Sequence, residues 1–274
     1  FKEINRGIDA LIEENTGDIV LSSELTVTEK KINHIKHTLA QRKLATELAE
    51  QRKNDLVVYL AHDLKTPLTS VIGYLTLLRD ESQISEELRE KYLSISLEKA
   101  ERLEDLINEF FEITRFNLSD ITLEYSRVNL THLLEQLTYE FKPMLLEKNL
   151  KCELEIASNV MLKCDVNKMQ RVFDNLLRNA VNYSFDDGTI HIVATQNENN
   201  LSIKFTNCGN TIPQEKLERI FEQFYRLDTA RSSRSGGAGL GLAIAKEIVE
   251  LHNGTITAKS ENEVIEFEVI IPLS

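Results

Sequence analysis

Apolar residues recur along this chain with two different periods, and the change of period divides it. Leu56, Leu60, Leu64, Val71, Leu75 and Leu78 are spaced near 3.6 residues, which predicts an amphipathic helix. The polar stretch from Arg79 to Glu87 predicts a turn, and Leu88, Tyr92, Ile95, Leu103, Leu106, Phe110 and Ile113 predict a second helix. Two such stripes make an αα-hairpin that buries too little surface to be stable alone. A second copy would complete it as a four-helix bundle. From about residue 119 the pattern alternates instead. Ile121–Leu123, Cys152–Ile156, Thr189–Thr195, Leu201–Phe205, Thr255–Ala258 and Ile265–Ile271 read as strands. Helical patterns lie between them, at Thr131–Lys148, Val166–Asn182 and Gly239–His252. The fold class expected is α+β: a helical-hairpin dimerisation bundle followed by an α/β sandwich.

The first part of the chain is polar and helix-friendly. Ile4, Ile8, Leu11 and Ile12 form one apolar series, Thr16-Gly17-Asp18 interrupts it, and Ile19-Val20-Leu21 reads as a short extended connector. Ile32, Ile35 and Leu39 begin another series, but Arg42, Thr46 and Lys53 stand where a strict heptad wants apolar residues. A marginal coiled coil is expected, with a seam able to change register. The expected domains are 1–45, a linker module; 46–118, the hairpin; and 119–274, the sandwich.

The formal net charge of −12 argues against nucleic acid as a partner, since such binding needs a basic surface. No apolar run approaches the ~20 residues of a membrane-spanning helix. The chain does not begin with Met and reads as a piece of something longer, so any membrane contact is expected through a missing N-terminal part. Three cysteines, Cys152, Cys164 and Cys208, show no metal spacing, which suits a reducing compartment.

Three segments carry chemistry. His62 lies two residues from both Leu60 and Leu64, so it points away from the apolar stripe. Asp63 adjoins it, Thr66 shares its face one turn on, and Pro67 should bend the helix. A solvent-facing histidine beside a carboxylate can act as a nucleophile, although surface histidines in helices are common and most do nothing. His34, His37, His132, His191 and His252 lack this setting. In the helical pattern after Val166, Asn175 and Asn179 project together and suggest oxygen ligands for Mg²⁺; the plainer reading is a solvated helix face. Gly236 to Leu242, rich in glycine and followed by a helix, suits phosphate. It is neither a dinucleotide-binding fingerprint nor a Walker loop. The polar run Asp228–Ser235 before it reads as a lid, with Arg231 or Arg234 able to reach phosphate. Phe221, Phe224 and Tyr225 either anchor that lid or belong to the core.

Together these segments resemble the sensor histidine kinases of two-component systems. His62–Pro67 is similar to the H-box, Asp174–Ala180 to the N-box, Phe221–Tyr225 to the F-box and Gly236–Leu242 to the second G-box. The resemblance covers about residues 55 to 272, and residues 1–45 resemble the end of a HAMP signalling module. It implies an ATP-binding sandwich of the histidine kinase, Hsp90 and gyrase type. It implies Mg²⁺ on Asn179 with Asn175 close by, Tyr183 stacked near adenine and Asn207 bonded to it. Gly209, Gly237, Gly239, Gly241 and Arg231 would complete the nucleotide site. His62 would attack the γ-phosphoryl with Asp63 as base, and Thr66 would orient water for the reverse dephosphorylation. The partners implied are a second copy of the chain and a response-regulator receiver domain. The chain would be the cytoplasmic portion of a membrane sensor. A phosphatase-dominant member or a nucleotide-binding scaffold with weak kinase activity is the alternative. One departure stands out: Asn207 replaces the family's adenine-binding Asp, and Thr211 replaces a Gly. The amide oxygen still accepts a hydrogen bond, but without charge, so ATP binding is expected to be kept and weakened.

Overall fold

A computed structural model of the protein describes residues 17–81, 83–118, 122–227 and 239–273. The chain forms two compact units, Phe1–Tyr59 and Leu60–Ser274. The series Ile4 to Ile12 lies outside the described residues. In the first unit, Ile19–Leu21 has no regular structure, and a short 3₁₀ turn, Ser23–Leu25, precedes helix α1, Thr26–Asp80. The connector is held by side chains. Asn33 accepts the Ile19 N–H through Oδ1 at 2.8 Å and donates Nδ2 to the Ile19 carbonyl at 2.9 Å. Glu29 accepts the Leu21 N–H at 2.8 Å.

In the second unit, the rest of α1 pairs with α2, Glu86–Leu118. The α-helix continues past Pro67 to Asp80. Tyr74 and Tyr92 meet across the hairpin, ring centroids 5.2 Å apart. Leu106 and Ile113 are buried, whereas Leu75, expected in the buried stripe, is 48% exposed.

The sandwich contains β1 (Ser126–Asn129), α3 (Leu130–Glu140), α4 (Lys142–Glu147), β2 (Lys151–Ile156), β3 (Met161–Cys164) and α5 (Val166–Tyr183). It continues with β4 (Thr189–Gln196), β5 (Asn200–Cys208), α6 (Gln214–Leu217), α7 (Gly241–Leu251), β6 (Thr255–Glu261) and β7 (Val264–Pro272). The main sheet has strand order β2-β4-β5-β7-β6, in which only β2 and β4 run parallel. β1 and β3 form a separate antiparallel pair. One sheet face buries Ile190, Ile192, Leu201, Ile203, Phe205, Phe267 and Val269. α5 packs on it with Met169, Val172, Phe173, Leu176 and Leu177, and Phe173 stacks on Phe205 at 6.1 Å. The other face is polar: Lys204 meets Glu266 at 3.1 Å, and Ser202 donates to Glu268 at 2.8 Å. The alternation along each strand thus follows from one covered and one solvated face.

Two expectations need correction. Ile121 lies outside the described residues, and Thr122 and Leu123 are not in a strand; the first strand begins at Ser126. Thr131–Lys148 is not one helix but two, α3 and α4. Pro143 has no N–H for the Tyr139 carbonyl and its ring crowds that carbonyl, so the first helix ends at Glu140.

Candidate active site

Helix α5 supplies one wall of the site, and its start is fixed by a buried cap. Asp165 accepts the Lys168 N–H through Oδ1 at 3.2 Å and the Glu124 N–H through Oδ2 at 3.1 Å. The Asp165 N–H itself donates to Nε2 of buried His252 at 3.0 Å, and the other ring nitrogen lies 2.8 Å from the Ile248 carbonyl. His252 is therefore a structural link between α5 and the end of α7.

A cavity of about 560 Å³ opens beside α5 and is lined by Asn175, Asn179 and Tyr183 from that helix. Asn207, Gly239 and Gly241 also line it. Of the nucleotide-site residues expected, these six come together around one cavity. Gly209 does not line it but shapes it: a Cβ there would run into the Tyr183 carbonyl oxygen, so only glycine lets the end of β5 pass so close to α5. Arg231 and Gly237, with the rest of the expected lid, lie outside the described residues.

The polar atoms in the cavity are specialised. Asn179 donates Nδ2 to the Asn175 carbonyl at 3.0 Å, which leaves its Oδ1 for a cation. Asn175 is 5% exposed and its Nδ2 is buried without a partner, a donor that lacks an acceptor. Asn207 is 1% exposed and its Nδ2 is also unpartnered. The start of α7 has no side-chain cap, so its first N–H groups remain for an anion beside Gly239 and Gly241. Among the described residues no group of three or more His, Cys, Asp or Glu is arranged to hold a metal. A divalent ion would thus depend on amide oxygen, phosphate and water, which suits Mg²⁺.

Residues that periodicity did not single out also line the cavity. Lys148, Arg178, Lys216 and Arg226 bring positive charge into an acidic chain, and Glu109 opposes them. Lys148 caps the end of α5, its Nζ donating to the carbonyls of Val181 at 3.0 Å and Asn182 at 2.8 Å. Arg178 pairs with Asp174 at 3.4 Å. Glu109 comes from α2; burial is the main cause that raises its pKa above the ordinary value, opposed by Arg171. Its neighbour Glu112 pairs with Arg171 of α5 at 3.2 Å and ties α2 to the sandwich.

His62 does not line the cavity; it stands on α1 with its side chain 80% exposed. Its Nδ1 lies 3.2 Å from Oδ1 of Asp63. A carboxylate only accepts, so Nδ1 carries the hydrogen and Nε2 keeps a lone pair facing solvent. Thr66 donates its hydroxyl to the His62 carbonyl at 3.2 Å. The three cysteines are free, and burial pushes the thiols of Cys152 and Cys164 up to about 11, so neither is a nucleophile at neutral pH.

An exposed histidine oriented by a carboxylate and a polar cavity beside an uncapped helix match two family profiles in the same chain. Residues 52–118 match the His Kinase A (phospho-acceptor) domain, and residues 164–274 match the histidine kinase-, DNA gyrase B-, and HSP90-like ATPase. The chain is 51% identical over 262 residues to the sensor protein VanSC of Enterococcus gallinarum, covering 96% of this chain and 72% of that one. It is 50% identical over 272 residues to the sensor protein VanS of Enterococcus faecium, covering 99% and 71%. The chain belongs to the sensor histidine kinases. Its fold is also that of the histidine kinase ThkA, crystallised in complex with the response regulator protein TrrA. That likeness has a TM-score of 0.63 at 21% identity and covers 93% of this chain and 69% of that one. The enzyme is a protein histidine kinase with a helical hairpin ahead of its ATPase domain.

Proposed function

We propose that the kinase phosphorylates His62 from ATP and passes the phosphoryl group to an aspartate of a response-regulator receiver domain. The His62–Asp63 hydrogen bond carries this reading, because it leaves Nε2 as an outward-facing nucleophile on a chain with an ATPase domain. Nε2 forms a bond to the γ-phosphorus as the bond to the β–γ bridging oxygen breaks, and ADP leaves. Asp63 holds the Nδ1 hydrogen and stabilises the cationic ring that forms.

At the cavity, Asn179 Oδ1, with Asn175 close by, would hold Mg²⁺, and the Asn175 amide would donate to a phosphate oxygen. Bound Mg²⁺ shields charge on the β- and γ-phosphates. Gly239, Gly241 and the start of α7 would receive phosphate, while Tyr183 and Asn207 would form the base end, which Gly209 shapes by letting β5 pass close to Tyr183. Gly237 and Arg231 are assigned to the same phosphates on sequence grounds. Thr66, one turn from His62, would orient water for dephosphorylation of the regulator.

The partner assignment draws support from the ThkA–TrrA complex, and a role in glycopeptide-resistance signalling from the names VanSC and VanS. Leu68, Ile72, Leu75, Leu93 and Leu97 remain exposed on the hairpin at helical spacing, and a second copy would bury them in a four-helix bundle. Residues 1–45 would be the end of a HAMP-like module, 46–118 the dimerisation and phosphotransfer hairpin, and 119–274 the catalytic domain. No described helix is long and apolar enough to cross a membrane. The chain is assigned to the cytoplasmic side of a membrane sensor.

Incubation with γ-labelled ATP should give an acid-labile label that maps to His62 and is absent from His62→Gln. Label on another histidine, or acid-stable label, would overturn the reading.

A further inference from the structure

The cavity has two chemically different ends. At one, the buried amide of Asn207 lies on β5 opposite Ile265 of β7, and Tyr183, Phe185, Ile212 and Phe267 also line the cavity. Flat apolar walls with one polar edge suit a heteroaromatic base. At the other, Asn175 and the uncapped start of α7 suit phosphate. Asn175 and Tyr183 lie eight residues apart on α5, about 12 Å along its axis, a separation that fits the span from base to phosphates.

Asn207 Nδ2 is buried without a partner, and no bond among the described residues fixes its Oδ1. As it stands Nδ2 is sealed and Oδ1 is the open edge, but no bond holds the carboxamide that way round. By a half-turn of its last torsion the same side chain presents acceptor-then-donor or donor-then-acceptor. Adenine offers a donor at its C6 amino group beside the N1 acceptor. A 6-oxopurine offers an acceptor at O6 beside the N1–H donor. Both patterns complement the amide, and both satisfy the orphaned Nδ2. A carboxylate in this place has no donor; it accepts from the amino group of adenine and repels O6.

We propose that Asn207 makes the base end of the site permissive at purine C6, so that the kinase takes a 6-oxopurine triphosphate as well as ATP. This rests on the assignment of the cavity to ATP. After that half-turn the unpartnered donor faces the cavity and becomes the group that recognises O6.

The test is calorimetric titration of the Mg²⁺ complexes of the imido analogues of ATP and inosine triphosphate into the whole chain. For the unaltered protein the two dissociation constants should lie within about tenfold of each other, the range of one neutral hydrogen bond. In Asn207→Asp the ratio should widen by about tenfold or more against the inosine nucleotide, because a buried acceptor then faces another acceptor. Inosine nucleotide more than about a hundredfold weaker in the unaltered protein overturns the proposal, as does a ratio that Asn207→Asp leaves unchanged. Rejection of both nucleotides removes the ATP assignment itself; ATP binding with inosine rejection removes only this inference. The first comparison uses the unaltered chain and does not depend on the variant folding.

Discussion

Phe224 donates its N–H to the Gly239 carbonyl at 2.9 Å, and both residues are left-handed, with φ of 62° and 74°. The bond pins together the two ends of the segment that carries residues 228–238. A Cβ on Gly239 would stand 3.0 Å from the Phe224 carbonyl carbon and 3.0 Å from the Tyr225 carbonyl oxygen, both backbone atoms that cannot rotate away. Gly239→Ala adds that crowding to the cost of a left-handed side chain, about 1–2 kcal/mol. The variant should melt a few degrees lower and bind ATP at least about tenfold more weakly, since Gly239 also lines the cavity. Thermal melts with and without nucleotide check both. Unchanged affinity would show that the Phe224–Gly239 contact is not coupled to the site.

Asp63 acts on His62 through one hydrogen bond, so its charge is separable from its geometry. Asp63→Asn keeps an acceptor for Nδ1–H but removes the negative charge that favours the cationic ring. Autophosphorylation should fall by about 10²-fold, while nucleotide affinity holds, because neither residue lines the cavity. A rate within twofold of the unaltered enzyme would leave Asp63 with no part in the chemistry.

Asn179 is anchored by its own amide to the Asn175 carbonyl, so the proposed cation on its Oδ1 would depend on a hydrogen bond within one helix. Asn179→Ala should cost about 1 kcal/mol of stability from that bond. It should also remove the Mg²⁺ dependence of nucleotide binding. Titrations with Mg²⁺ and with a chelator separate the two effects. A Mg²⁺ dependence that survives would place the ion elsewhere.

The parts of this molecule legible in its sequence are those with a strong local period. The hairpin, α5, α7 and the strands of the main sheet announce themselves by apolar spacing, and Asn175, Asn179, Gly239 and Gly241 of the cavity lie inside motifs. β1 and β3, four residues each, are too short for a period to show. Pro143 was the readable sign of the break between α3 and α4, and the apolar stripe on either side masked it. Lys148 reaches carbonyls 33 and 34 residues ahead, and Glu109 enters the cavity from another element altogether. Contacts of that kind exist only after folding, and nothing in the local pattern marks them.

Glu109 should make the joint between α2 and α5 sensitive to pH. Its Oε2 is buried without a partner, and burial, the largest cause, raises its pKa above the ordinary 4.5. A carboxyl whose folded pKa lies above its unfolded one binds its proton more tightly when folded. Below about pH 4.5 both states are protonated and the group costs nothing. As pH rises past that value the unfolded chain ionises first, and the folded state loses stability until Glu109 itself ionises. Glu109→Gln removes that titration and keeps the size of the side chain. Its melting temperature relative to the unaltered protein should therefore rise as pH increases from 4.5 to neutrality, a trend that melts at a series of pH values will read directly. If the difference between the two proteins is flat across that range, the carboxylate is paired in solution. Arg171, the first charge opposing it, would then be the partner, and Glu109→Gln combined with Arg171→Gln would cost less than the sum of the two changes made alone.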